Sequence, residues 1–359
     1  MTDQGPGTDH APRTKDRGLV VVASPRFADH QTPPGHPESP QRATVMFATA
    51  EAWRTAGGEV VAPVAATPEQ LARVHDERYL QTIRSLAGRS TSIDADTFTS
   101  PETVEVALLA AGGSVLAVNR VLGGASRTAL VMARPPGHHA ERDRAMGFCF
   151  FNNIAVAAAQ ARAAGLKKVA IVDYDVHHGN GTQHIFERDA SVLYVSMHQY
   201  PFYPGTGAAT EVGVGAGAGF TVNIPLESGA TDGDYRQVFD EIVEPVLEQF
   251  APELILVSAG FDAHQEDPLG NMRVTTPAFA AMTRALSVVA DRCCDGRLVA
   301  LVEGGYNLKA LGDSLSAVID VLSGKHQAAW PASPLRSSRG ADGVAAARRA
   351  LTGFWKLTG

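Results

Sequence analysis

Apolar residues recur along the chain in two rhythms. The first is a series of short unbroken runs: LVVVAS (19–24), TALVMA (128–133), KVAIVDYD (168–175), VLYVSMH (192–198), FTVNIPL (220–226), LILVSAG (254–260) and LVALVEG (298–304). Runs of this length, without polar alternation, predict strands of a parallel sheet covered on both faces. The second rhythm repeats every three to four residues and predicts helices over 43–57, 100–124, 152–165, 234–250 and 276–291. Gly57 is placed to end the first of these. Thr67-Pro68 with Gln70, and Ser100-Pro101, read as helix starts. Strands alternating with helices predict an α/β fold, one mostly parallel sheet with helices on both faces.

The organisation follows from the same pattern. Residues 1–17, rich in Gly, Pro and charge, read as a disordered tail. Residues 18–325 read as one domain, and 326–359 as a linker and a short helix at 344–357. Between the first strand and the first helix, PRFADHQTPPGHPESPQR (25–42) is a long proline-rich loop. Loops of that length are functional or disordered.

Charge narrows the classes of function. The net charge is −7 and the pI about 5.9, which disfavours nucleic acid as a partner. Three cysteines, two of them adjacent, do not make a disulfide framework, and a reducing cytoplasm is the expected setting. The first residues lack an apolar signal-peptide core, and no run reaches the roughly 18 apolar residues of a membrane span. A soluble chain is expected, its oligomeric state open, with dimer and tetramer as the options.

Open parallel sheets place their sites beyond the C-terminal ends of the strands. Five of the predicted strands run into polar clusters there: Arg134-Pro-Pro-Gly-His138-His139, Asp173-Tyr-Asp175-Val-His177-His178, Ser196-Met-His198, Gly260-Phe-Asp262-Ala-His264 and Glu303-Gly-Gly-Tyr306. Asp175 and His177 are two apart, so extended backbone points both the same way. One carboxylate oxygen and one imidazole suit zinc at about 2.0 to 2.2 Å, and Asp262 is the best third ligand. Three protein ligands leave positions open for water and substrate, as in catalytic zinc sites. His138 and His139 are then free to act as base and acid, with Asp173 and Asn180 as partners that fix their tautomers. His178 and His198 read as supporting residues. Tyr306 either donates to an oxyanion or is a packed ring. The chemistry these residues outline is metal-assisted hydrolysis of an amide or ester.

At RPPGHHAE, GFCFFNN, DYDVHHGNGTQHIFE, SAGFDAH and EGGYNL, in this order and spacing, the chain closely resembles the histone deacetylase family, from about residue 18 to 325. Asn180 and GTQHIFERD look like the class II branch and its bacterial relatives, including acetylpolyamine amidohydrolases. The resemblance implies the arginase/deacetylase fold and removal of acyl groups from lysine side chains. It implies zinc on Asp175, His177 and Asp262, with His138, His139 and Tyr306 as catalytic residues. It also implies two structural potassium ions. The nearer would use Asp173, Asp175, His177, Ser196 and Met197, and the outer the carbonyls of Phe186, Asp189, Val192 and Phe220. Gly147 and Phe148 would form one wall of a lysine tunnel, Tyr203 the opposite wall, and Asp96 a rim residue that grips substrate backbone. Leu269 stands where the polyamine-specific branch carries a glutamate, which tilts the expected substrate toward acyl-lysine; Glu266 and Asp267 lie close by. A small-molecule deacetylase and a non-catalytic acyl-lysine reader are the alternatives. The two-manganese arginase pattern is disfavoured, because position 179 is Gly rather than Asp.

Overall fold

The computed structural model describes residues 18–332 and 338–357; the tail expected over 1–17 lies outside them, as do 333–337 of the expected linker. Ten strands follow in chain order: β1 (Leu19–Ala23), β2 (Glu59–Val61), β3 (Thr91–Ser92), β4 (Phe98–Thr99), β5 (Thr128–Met132), β6 (Val169–Asp173), β7 (Val192–Gln199), β8 (Thr221–Leu226), β9 (Leu254–Ala259) and β10 (Leu298–Val302). Eight make one sheet in the order β2-β1-β5-β10-β9-β6-β7-β8, every pair parallel, while β3 and β4 form a small hairpin. The five strands whose ends carry the polar clusters, β5, β10, β9, β6 and β7, are neighbours at the centre. Residues far apart in sequence therefore reach one rim.

The helices are α1 (Pro40–Thr55), α2 (Pro68–Ala72), α3 (Glu77–Arg84), α4 (Thr103–Leu122), α5 (Asn153–Ala163), α6 (Asn180–Phe186), α7 (Asp232–Val238), α8 (Glu244–Phe250), α9 (Thr276–Cys293), α10 (Leu308–Leu322) and α11 (Ser338–Leu351). They cover both faces and give one apolar core on each side of the sheet. Thr67 and Gln70 form the expected capping box. Gly57, at φ +89°, takes the left-handed position just past α1.

Some expectations need correction. Helix α1 begins at Pro40 behind Ser39, three residues before the apolar pattern starts. The signal at Ser100-Pro101 makes a turn, and α4 starts at Thr103, whose hydroxyl accepts the Ser100 N–H at 2.7 Å. By length and hydropathy α4 meets the criterion for a membrane span, contrary to the sequence expectation. Two thirds of its most apolar window is nevertheless buried inside the protein. The C-terminal segment is also more than a linker with a helix at 344–357: α11 begins at Ser338 and packs on β8 and α7 through Val344, Ala347 and Leu351.

The proline-rich loop is ordered by a buried ion triad. Glu38 accepts from Arg134 at 2.5 and 2.6 Å and from Arg42 at 2.9 Å, all three fully buried. Arg42 also donates to the carbonyls of Gly305 (2.7 Å) and Glu303 (2.5 Å), tying the loop to the strand end that carries Tyr306. Burial pushes the Glu38 carboxyl up, but the two guanidinium groups outweigh it and hold its pKa at about 2. Removing one member leaves uncompensated buried charge, so Glu38→Ala is expected to cost about 3 to 5 kcal/mol in denaturant unfolding. Because the folded pKa lies below the unfolded one of about 4.3, this stability is complete above that pH and is lost as pH falls toward 2. A variant as stable as the parent, with unchanged acid unfolding, would remove the triad from the account.

Candidate active site

β6 ends at Asp173 and residues 175–177 are bent, so the extended backbone expected there is not found; the turn, in which the His177 N–H donates to Asp175 Oδ1 at 2.9 Å, brings the two side chains together. Asp262 enters from the end of β9. His177 Nδ1 lies 3.1 Å from Asp175 Oδ1 and 3.1 Å from Asp262 Oδ2. The three are buried, and they form the metal-competent cluster found among the described residues. Tetrahedral ligands at about 2.0 to 2.1 Å from zinc stand about 3.3 Å apart, so the donor set fits that ion. Backbone N–H groups hold the carboxylates in place: Gly304 donates to Asp175 Oδ2 at 2.8 Å and Val176 to Asp262 Oδ1 at 2.8 Å. Gly304 is required here, since a Cβ would sit 2.1 Å from Asp262 Oδ2. Burial and the neighbouring Asp175 raise the Asp262 carboxyl to about 7. The two acids in turn lift the His177 imidazole between them to about 10, so that its positive charge stands where a bound cation would.

The two histidines after the Pro-Pro-Gly turn have different partners. His138 Nδ1 bonds Asp173 Oδ2 at 3.0 Å, and His139 Nδ1 bonds Asn180 Oδ1 at 2.8 Å. Burial disfavours both imidazolium forms. For His138 the surrounding carboxylates, Asp173 first, outweigh burial and lift its pKa to about 10. His139 has no carboxylate in contact. Burial and the neighbouring His138 and His177 drive it well below 6.5. The turn itself is anchored: Glu303 Oε2 accepts the N–H of Gly137 (2.6 Å) and of His138 (3.2 Å), and Asn152, which caps α5, donates to the Ala140 carbonyl at 3.1 Å.

A cavity of about 270 Å³ leads to these groups. His139, His177, Tyr306, Gly147, Phe148 and Tyr203 line it, with Leu269 and Asp96. Gly147 and Phe148 sit at the centre of a tight turn closed by the Met146–Cys149 bridge, at φ +56° and +69°. A left-handed phenylalanine is uncommon, and such backbone tends to mark functional positions. The turn carries Phe148 to the cavity while Phe150 and Phe151 stay in the core. At Gly147 a Cβ would lie 2.6 Å from the His139 ring, so only glycine lets the turn pass that close. Tyr203 meets the His139 ring edge-on, centroids 5.1 Å apart.

Tyr306 is a cavity residue rather than a packed core ring. Its backbone N–H donates to Asp267 Oδ2 at 2.6 Å, and the Arg42 guanidinium lies 5.0 Å from its ring centre. Burial and the Asp262 carboxylate keep its phenol pKa well above 10, so the group remains an O–H donor. His178 and His198 stand outside the cavity, bonded to Thr206 and Gln183 and to Gly207 and Ser196 respectively. His264 is packed against Phe279. Asp173 and Ser196 are paired across β6 and β7. Met197 is the next residue on β7, and the carbonyls of Phe186, Asp189 and Phe220 lie along the turn after α6 and the start of β8. Sequence reasoning passes over Pro37 and Phe202, which also line the cavity, the latter stacked on His177 at 5.3 Å. It also passes over Glu38 and Arg42 and reads Asp267 only as a charge close to Leu269, whereas all three hold the cavity walls. A motif signal exists only for Asp267, which lies in the stretch after Asp262.

A donor set open to a cavity and flanked by proton carriers is arranged for metal-assisted hydrolysis, and on this sheet it defines a hydrolase of the arginase/deacetylase fold. The chain belongs to the histone deacetylase family, whose domain matches residues 36–322. It is 41% identical over 292 residues to the probable deacetylase of Archaeoglobus fulgidus, covering 80% of this chain and 81% of that one. It is 41% identical over 308 residues to the human polyamine deacetylase HDAC10, covering 81% of this chain but 45% of the relative. The crystal structure of the HDA15 HD domain superposes with a TM-score of 0.88 at 38% identity, covering 94% of this chain and 95% of that one. The family is zinc-dependent.

Proposed function

We propose that the protein removes acetyl or related acyl groups from lysine side chains of proteins or peptides. The observation that carries this reading is the cavity itself: aromatic walls from Phe148 and Tyr203 lead to the Asp-His-Asp donor set, His139 and Tyr306. An aliphatic lysine stem suits such walls, and the acyl amide would then sit among the polar groups. Asp175, His177 and Asp262 would hold zinc, which when bound supplies Lewis acidity toward the carbonyl and the attacking water. His139, neutral and hydrogen-bonded at Nδ1, presents Nε2 to take the proton of that water. His138, hydrogen-bonded to Asp173 at Nδ1, would be the electrostatic partner of His139 and a second proton source for the leaving amine. Tyr306 donates its O–H to the oxyanion.

Leu269 favours protein substrates over polyamines. It lines the cavity and offers no charge to a second amine. Nearby Asp267 is committed to the N–H groups of Leu269, Tyr306 and Asn307, which removes it as an amine ligand. Monovalent cations at the two sites the resemblance implies are part of the same proposal. At the nearer one, burial holds the His198 pKa at about 4, so the ring is neutral. Its Nε2–H is spent on the Gly207 carbonyl, so Nδ1 accepts from Ser196, leaving the Ser196 lone pairs free for a cation.

The test is the zinc-loaded protein on an acetyl-lysine peptide and an acetylated polyamine side by side. A higher kcat/KM on the peptide is the expected result. Faster polyamine turnover would transfer the protein to the small-molecule deacetylases and overturn the role of Leu269.

A further inference from the structure

The partner of His139 is an amide, and an amide has two faces. With Asn180 Oδ1 toward His139 Nδ1, as found at 2.8 Å, the imidazole proton sits on Nδ1 and Nε2 keeps a lone pair. Turned by half a rotation, Asn180 would offer Nδ2–H instead. The imidazole proton would move to Nε2, and the base would be lost. Asp173, which serves His138, has no such ambiguity because both of its oxygens accept. Something must therefore choose the face of Asn180.

The structure supplies the selector on the far side of the amide. Asn180 Nδ2 donates to Glu141 Oε1 at 2.5 Å, with weaker contacts to the His139 carbonyl at 3.4 Å and Met146 Sδ at 3.5 Å. A carboxylate only accepts, so the flipped amide would set oxygen against oxygen. Glu141 is itself clamped by His184 Nδ1, at 2.9 and 3.1 Å from its two oxygens. Burial pushes the Glu141 carboxyl up, but its bond to His184 prevails and holds it below the usual value. The line Glu141, Asn180, His139 is buried, and His184 closes it at the surface.

We propose that Glu141, held by His184, is a positioning residue that fixes the Asn180 amide and so keeps the His139 proton on Nδ1. This rests on His139 acting as the base. Glu141→Gln puts an amide, with either face available, against Asn180. It is expected to lower kcat about tenfold with KM little changed, a fraction of the roughly 10² to 10⁴ that acid–base catalysis contributes. Asn180→Asp alone sets two carboxylates in contact and is also expected to lose activity. When the two substitutions are combined, the carboxylate introduced at position 180 accepts from His139, and the amide introduced at position 141 donates to that carboxylate. The double variant is therefore expected to recover to near the parent rate. Nitrogen-15 NMR of the histidine rings provides a readout independent of turnover: Nδ1–H at His139 in the parent and the double variant, mixed tautomers in Glu141→Gln. A double variant no better than its worse single, or an unchanged His139 tautomer in Glu141→Gln, would overturn the proposal. His139→Ala separates the two levels. Full activity in that variant would remove the base itself, whereas its loss together with an inert Glu141→Gln would remove only the positioning.

Discussion

Tyr306→Phe is expected to lower kcat by roughly two to three powers of ten while leaving substrate binding nearly unchanged. The change deletes one oxygen. The ring remains beside Phe148, and the backbone N–H that bonds Asp267 is untouched, so the cavity wall should keep its shape. In the proposed reaction, what is lost is a single donor toward the oxygen on which charge develops. Donors of that kind are worth about 10² to 10³ in turnover, because they act mainly in the transition state. Steady-state kinetics with a competitive inhibitor titration checks both halves. An unchanged kcat would return Tyr306 to the role of a packed ring, and a large rise in KM with kcat preserved would make it a substrate-binding residue.

Loss of one metal ligand should have the other large effect. Asp262→Asn keeps the size of the side chain and an oxygen to accept the Val176 N–H, so the loop after β9 should survive. It removes a charged donor from a set of three, and metal affinity should fall by more than the roughly 10- to 100-fold that outer partners of a site carry. Zinc at about 100 times its Kd should stabilise the parent by about 2.7 kcal/mol. The variant should show little thermal shift, little bound zinc and little turnover. Full zinc occupancy in Asp262→Asn would refute the ligand assignment.

The parts of this structure that are legible in the sequence are those encoded locally. Strand runs such as LVALV follow from burial on both faces, and the Asp-x-His pattern marks Asp175 and His177, although bent rather than extended backbone presents them. The convergence of five strand ends also follows, because parallel sheets present all such ends at one side. Features that depend on distant partners are not legible. Glu38 and Arg42 sit in and beside a proline-rich loop, and the groups that hold them, Arg134 and the Glu303 and Gly305 carbonyls, lie about 100 to 260 residues away. Helix α10 escapes the periodicity reading although Asn307 caps it, because the cap falls inside the EGGYNL cluster, where the polar residues read as chemistry. The start of α11 is hidden by Gly340 and Gly343, which lower helix propensity. Their packing explains them: a Cβ at Gly340 would lie 2.9 Å from Asp234, and one at Gly343 2.5 Å from the Pro225 carbonyl. Glu141 belongs to the RPPGHHAE motif, but its bond to Asn180 spans 39 residues.

The central claim is that one metal held by Asp175, His177 and Asp262 drives hydrolysis of an acyl amide in the aromatic cavity. Its most direct test is to titrate zinc into metal-free protein and measure acetate released from an acetyl-lysine peptide, with bound zinc counted in the same samples. The account predicts a linear rise in rate that ends at one ion per chain. Full acetate release with far less than one ion bound, or a protein saturated with zinc that releases none, would contradict it.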